Sequence, residues 1–174
     1  MNQHHYKNIL FSEEVLRARI NALGKQISQD YADLDLVIVG VLKGSLYFFA
    51  DLTRMIDIPI QVDLIAIGTY PTATNRQGIV RITKDLDLEI TGRHVLVVED
   101  IIRTGLTTGY LVQNLEARLP ASVKVCSLLV NPEQQLINVP IAYRGFEISK
   151  TRLIGFGMDI NEKGRNLPYI ANCE

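Results

Sequence analysis

Apolar positions along the chain fall into two alternating kinds of run. The first keeps a helical step: Leu16, Ile20, Leu23 and Ile27 recur at intervals of four, three and four, which makes one helical face. Ser12 before Glu13-Glu14 reads as its start, with carboxylates near the positive end of the helix dipole. The second kind is continuous: Leu36–Val41 has no polar interruption, as expected of a parallel strand covered on both faces. Lys43-Gly44-Ser45 breaks that run, and Leu46–Ile56 predicts a second helix. Ile60–Ile67 predicts a longer strand, with Val62, Leu64 and Ala66 on one face. The polar segment Thr69–Gly78 reads as a mobile loop, and Ile79–Thr83 as the returning strand of a long hairpin.

Gly92 marks a turn before the strand His94–Val98, which a loop at Glu99–Thr104 joins to a helix from about Gly105 to Arg118. Val123–Val130 is another buried strand, ended by Asn131-Pro132, and Ile141–Tyr143 and Leu153–Phe156 are short strand candidates. Strands alternating with helices imply an α/β fold, a central mostly parallel sheet flanked by helices. Ligands in such sheets bind in the crevice beyond the carboxyl ends of the strands. That rule lines up Leu42-Lys43-Gly44, Glu99–Thr107 and Asn131 on one rim.

Composition narrows the class without changing this order. With 174 residues and no repeat or linker, one domain is expected. A hydrophobic share of 47% with 21% charged residues is ordinary for a soluble globular protein. A formal net charge of -1 gives no general grip on nucleic acid or an anionic membrane. No signal-peptide pattern opens the chain, and no apolar run approaches the roughly 20 residues that span a bilayer. Cys126 and Cys173 lack metal-ligand spacing; Cys126 reads as a buried reduced thiol, and a cytoplasmic location is expected. His4-His5 reads as a solvated end.

The chemistry concentrates on the rim. Glu99 and Asp100 end a buried strand, where charge is costly unless it meets water, a cation or hydroxyl groups. Thr104, Gly105, Thr107 and Thr108 then open a helix whose first N–H groups, beside a small residue and hydroxyls, can cradle an anion. Carboxylates next to a phosphate cradle suit a sugar phosphate, holding ribose hydroxyls or Mg²⁺. The same pattern also fits a plain acidic cap before an ordinary helix. Other phosphate motifs fail: no Walker A sequence is present, and Gly155-Phe156-Gly157 lacks the third glycine and following helix of a dinucleotide fingerprint.

Val95–Thr107 resembles the phosphoribosyl-pyrophosphate signature of type I phosphoribosyltransferases. The stretches Val39–Asp51, Ser127–Leu129, Gly145–Ile148, Gly155–Asp159 and Arg165–Ile170 are similar to the hypoxanthine-guanine branch of that family, in preserved order from near residue 9 to 170. The resemblance implies the family's fold, with a core over about 10–130 and a small hood from the N- and C-terminal segments, about 131–174. It implies transfer of 5-phosphoribose from phosphoribosyl pyrophosphate to hypoxanthine or guanine, Mg²⁺ as cofactor, and a homodimer or homotetramer. Leu42-Lys43-Gly44 resembles the pyrophosphate loop, where the family has a non-proline cis peptide, and Arg165 the arginine that contacts pyrophosphate. Glu99 and Asp100 resemble the pair at the ribose hydroxyls and a magnesium shell, and Asp159 the carboxylate near a second Mg²⁺. Thr104, Gly105, Leu106 and Thr107 resemble the 5′-phosphate cradle. Thr69-Tyr70 stands where the family's closing loop carries Ser-Tyr, a lid that excludes water and gives Tyr70 a catalytic role.

Three departures fall on the side that handles the base. Arg103 occupies the place of the family's aspartate, which accepts or steadies a proton on the purine; arginine is no base at accessible pH. Asn131 stands where a lysine contacts the purine's exocyclic oxygen, bringing an amide but no charge. Arg152, before Leu153 in the base-binding stretch, stands where an aromatic residue stacks, and a guanidinium plane can stack too. Each has a bland reading: Arg103 folding onto the 5′-phosphate, Asn131 tolerated, Arg152 facing solvent. Together they leave three functions open, namely purine salvage, a phosphoribosyltransferase with a different, anionic acceptor, and a non-catalytic binder that senses phosphoribosyl pyrophosphate or a nucleotide. The apolar stretch Leu46–Phe49 fits either a subunit interface or a core helix, and the acidic run Asp85–Glu89 a solvated turn.

Overall fold

The computed structural model describes residues 8–70, 79–149 and 152–173, without the side chains of residues 69, 70 and 79. The loop expected at Thr69–Gly78 therefore lies, past its first two backbone positions, outside the described residues, as do His4-His5 and the Tyr70 side chain.

The first helix, α1 (Glu13–Asp30), starts where its cap predicts: Ser12 Oγ accepts the Val15 N–H. Its four-three-four stripe is buried at Leu16, Ile20, Leu23 and Ile27. The strand β1 (Ile9–Phe11) precedes it, and β2 (Leu36–Leu42) follows, buried throughout except at its last residue. Then come α2 (Leu46–Arg54), β3 (Gln61–Tyr70), β4 (Ile79–Lys84), β5 (His94–Ile102), α3 (Leu106–Glu116), β6 (Ser122–Val130), β7 (Ile141–Glu147), β8 (Leu153–Ile154) and β9 (Ile170–Asn172).

Among the described residues six strands form one sheet in the order β4-β3-β2-β5-β6-β7. All neighbours are parallel except β3 and β4, the expected hairpin. Side chains alternate across it: Leu36, Ile38, Leu96 and Val98 pack with α1 and α2, while Val37, Val39, Val95 and Val97 pack with α3 on the other face. Cys126 is buried in the first of these layers, where desolvation pushes its thiol up.

Two sequence expectations change. The segment Glu99–Ile102, expected as loop, continues β5, because its backbone keeps pairing with β6, with Glu99 opposite Ser127, Ile101 opposite Leu129 and Ile102 opposite Val130. The strand at Ile141 runs to Glu147 and belongs to the large sheet, so the part of the chain from Leu153 onward builds the second one. That second sheet, β1-β9-β8, ties the two ends of the chain together through antiparallel pairs such as Ile9 with Ala171. Its strands hold two or three residues each; β8 falls within the expected strand Leu153–Phe156, while β1 and β9 are too short for an alternation to register in the sequence.

Candidate active site

The carboxyl ends of β2 and β5 and the start of α3 enclose a cavity of about 360 Å³. Leu42, Glu99, Arg103, Thr104, Gly105 and Thr107, all expected on the rim, line it, joined by Val41, Ile67, Ile101, Ile102 and Thr108. A hollow of similar volume over α1, lined by Glu13, Glu14, Arg17, Ala18 and Asn21, gathers no comparable chemistry.

Glu99 is buried, and Thr108 Oγ1 donates to its Oε1 at 3.3 Å. Burial, then the adjacent Asp100 charge, holds its carboxyl well above the usual carboxylate range. Burial raises Asp100 as well; backbone N–H donors and the charges of Arg103 and Arg165 oppose the rise. Two neighbouring carboxylates short of positive charge are hard oxygen donors of the kind Mg²⁺ takes, one or two at a time, alongside substrate phosphates. Among the described residues no three acidic, histidine or cysteine side chains gather into a metal cage, so a magnesium ion at this pair would share its shell with substrate.

The cradle beside the pair depends on glycine. Gly105 caps α3 at φ +80°, and a Cβ there would lie 3.0 Å from Val139 Cγ2 and 3.2 Å from Ile137 O. Only glycine meets both demands at low cost. The N–H groups of the first turn have no acceptor within the helix and carry its positive dipole end. Leu106 itself is half exposed and faces away from the cavity, so its part in the cradle rests on its backbone.

A second group of charges lies across Gly44. The Leu42–Lys43 bond is cis, as the resemblance implies. A Cβ on Gly44 would fall 2.0 Å from Asp100 Oδ2, and one on Gly157 1.8 Å from Gly44 O. The loop after β2 is thus pressed between the strand carboxylate and the hood. In the hood, Arg165 pairs with Asp159 Oδ1 at 2.7 Å and donates to Gly157 O at 2.7 Å, while its Nε is buried without a protein partner. Asp159 Oδ2 accepts the Glu162 N–H at 2.8 Å. Glu162, which the sequence did not single out, receives Lys43 Nζ at 3.2 Å and an Arg165 nitrogen at 3.3 Å. Its three-residue spacing from Asp159 and Arg165 was the available signal.

The base-side departures are dispersed. Arg103 stands on the cavity wall and its charge reaches Asp100. Asn131 follows β6; its N–H donates to Ile102 O at 2.9 Å, and its buried Oδ1 has no protein partner. Such an orphan atom costs about 1–3 kcal/mol unless water or a ligand meets it. Arg152 is exposed, its carbonyl accepting the Cys173 N–H, whereas Leu153 is buried in β8. Neither lines the cavity between β2 and β5.

Residues 5–161 match the model of the phosphoribosyl transferase domain. The hypoxanthine-guanine phosphoribosyltransferase of Mycobacterium tuberculosis (strain ATCC 25618 / H37Rv) is 43% identical over 174 residues, covering 97% of this chain and 86% of that one. The hypoxanthine phosphoribosyltransferase of Haemophilus influenzae is 42% identical, covering 98% and 97%. Among solved structures, a hypoxanthine-guanine phosphoribosyltransferase from Bacillus anthracis superposes with a TM-score of 0.92 at 39% identity, covering 98% of this chain and 100% of that one. A hypoxanthine phosphoribosyltransferase from Staphylococcus aureus superposes with a TM-score of 0.93 at 34% identity, covering 100% and 96%.

Proposed function

The chain belongs to the phosphoribosyltransferase family, and from that premise we propose that it transfers 5-phosphoribose from phosphoribosyl pyrophosphate to hypoxanthine or guanine, giving IMP or GMP and pyrophosphate. The observation that carries this reading is the pair of buried Glu99 and half-buried Asp100, one short loop before the N-terminus of α3. One rim offers carboxylates to ribose hydroxyls and backbone N–H groups to a 5′-phosphate.

The transfer breaks the bond between the anomeric carbon and a pyrophosphate oxygen, and joins that carbon to a ring nitrogen of the purine, whose proton is lost. Thr104, Gly105, Leu106 and Thr107 hold the 5′-phosphate, and Glu99 and Asp100 orient the ribose. Leu42, Lys43, Gly44 and Arg165 take the pyrophosphate, with the buried Arg165 Nε as a spare donor. Glu99, Asp100 and Asp159 are the residues that would hold Mg²⁺, which when bound offsets the charge of the departing pyrophosphate. Asn131, Arg152 and Leu153 are assigned to the base by the resemblance alone, since none of them lines the cavity between β2 and β5. The catalytic role of Tyr70 rests on the resemblance too, its side chain lying outside the described residues.

Arg103 favours one refinement. A guanidinium on the cavity wall cannot take the purine's proton, and losing general-base help slows such steps by about 10²–10⁴. Purine turnover is therefore slow rather than absent, and an acceptor bearing a carboxylate gains a partner in Arg103. The deciding experiment offers phosphoribosyl pyrophosphate and Mg²⁺ with hypoxanthine, guanine, adenine or a carboxylated pyrimidine and measures nucleotide formed. Product from hypoxanthine or guanine supports the reading; product from the carboxylated base alone transfers it to an anionic acceptor. Binding of nucleotide with no product from any base identifies a sensor instead.

No described helix is long and apolar enough to cross a membrane, and a cytoplasmic location belongs to this reading. The face of α2 that leaves Leu46 and Tyr47 exposed while Phe48 and Phe49 are buried is the one we assign to a homodimer or homotetramer contact.

A further inference from the structure

The carboxylate of Glu162 has an unusual position for a surface acid. A single oxygen, Oε2, meets cations from two separate parts of the fold: Lys43 Nζ at 3.2 Å from the loop after β2, and an Arg165 nitrogen at 3.3 Å from the hood. The turn that presents it is built for the purpose. Asn161 and Glu162 both have positive φ, at 53° and 61°, a conformation that asparagine adopts readily and glutamate only at a cost. Asp159 Oδ2 fixes the turn by accepting the Glu162 N–H at 2.8 Å, and Ile160 and Lys163 close it with a bridge. The close approach of Gly157 to Gly44 O brings the loop after β2 beside this turn.

We propose that Glu162 is a resident counter-anion of the pyrophosphate end of the site, held by Lys43 and Arg165 until a diphosphate displaces it. The inference rests on the assignment of Lys43 and Arg165 to pyrophosphate. A diphosphate is an anion of higher charge and can outcompete one carboxylate, but it binds less tightly than it would with Lys43 unpaired and Arg165 paired to Asp159 alone. Glu162 therefore weakens the grip on both the donor's pyrophosphate and the released product. It speeds release, and it leaves the 5′-phosphate cradle untouched, because that cradle belongs to the other side of Asp100.

The test is calorimetric titration of inorganic pyrophosphate, with magnesium chloride at fixed ionic strength, into the full chain and its Glu162→Gln, Glu162→Ala and Lys43→Ala variants. A nucleoside monophosphate, which carries only the 5′-phosphate, is titrated in parallel. Partly exposed ion pairs each contribute little, so removing two predicts about three- to tenfold tighter pyrophosphate binding in both Glu162 variants. Nucleotide affinity stays within about twofold of the parent, which separates this effect from a change in folding. In the Lys43→Ala background, Glu162→Gln gives a smaller gain, because one of its two cations is gone. Unchanged or weaker pyrophosphate binding in the Glu162 variants, with the parent binding normally, overturns the counter-anion alone. A parent chain that binds nucleotide but no pyrophosphate overturns the assignment of Lys43 and Arg165, and this inference with it.

Discussion

Replacing Glu99 by glutamine is expected to stabilise the ligand-free protein and to disable it. The carboxylate is buried beside a second one, so its charge is carried at the expense of stability for the sake of binding. An amide of the same shape keeps the Thr108 contact and removes the repulsion. Its melting temperature at neutral pH should rise by about 2–4 °C per kcal/mol relieved, while phosphoribosyl pyrophosphate binding in Mg²⁺ is lost; a fall in melting temperature would show that the charge is already compensated. At Arg103 the opposite exchange is informative. Arg103→Asp restores a group able to accept a proton and should raise kcat on hypoxanthine by about tenfold or more. No gain would mean that the missing base does not limit the reaction. The Glu99-Asp100 pair and the helix start at Gly105 could be read in the sequence because residue type and order suffice there. Glu162 offered only its three-residue spacing from Asp159 and Arg165, since its pairing with Lys43 crosses more than a hundred residues of chain.

The elements themselves were largely legible where a period could be counted. The stripe Leu16, Ile20, Leu23, Ile27 and the run Leu36–Val41 are buried as their spacing predicts. The end of β5 was not, because Glu99-Asp100 looks like a strand terminus until the ladder with β6 is seen to continue past it. Nor were β1 and β9, whose pairing joins the two ends of the chain, whereas β8 falls within the expected strand Leu153–Phe156. The hairpin β3–β4 has its own anchor. Asp63, buried on β3, accepts the N–H groups of Leu64, Asp87 and Leu88 at 2.7–2.9 Å, with Lys84 at 3.7 Å. Burial pushes its carboxyl up, but these donors and the lysine outweigh it and leave it below the usual range. A lowered carboxyl stabilises the fold fully above its unfolded value near 3.8 and loses that contribution as pH falls through the lowered one. Asp63→Asn should cost about 2–3 kcal/mol at pH 7, visible as a lower melting temperature. The gap between variant and parent should narrow below about pH 3.8. A gap independent of pH would show that shape rather than charge anchors the hairpin.

At the scale of the molecule, two sheets meet at Gly44 and divide the labour. The large sheet places Glu99 and the first turn of α3 on the cavity wall, and the segment from Leu153 onward brings Arg165, Asp159 and Glu162 together. Gly157 approaches Gly44 O so closely that a Cβ there would lie 1.8 Å from it, which brings the two parts together at this loop. The exposed Leu46 and Tyr47 beside that loop predict a dimer or tetramer by light scattering in solution, and a monomer would remove the α2 face as an interface. The central claim, transfer of phosphoribose to a purine, is tested most directly by following the donor itself. In ³¹P NMR of phosphoribosyl pyrophosphate with hypoxanthine, Mg²⁺ and the full chain, the donor's diphosphate resonances should give way to inorganic pyrophosphate and the monophosphate of IMP in equal amounts, slowly. A donor that stays intact under these conditions, or loses its pyrophosphate without forming nucleotide, would contradict the account.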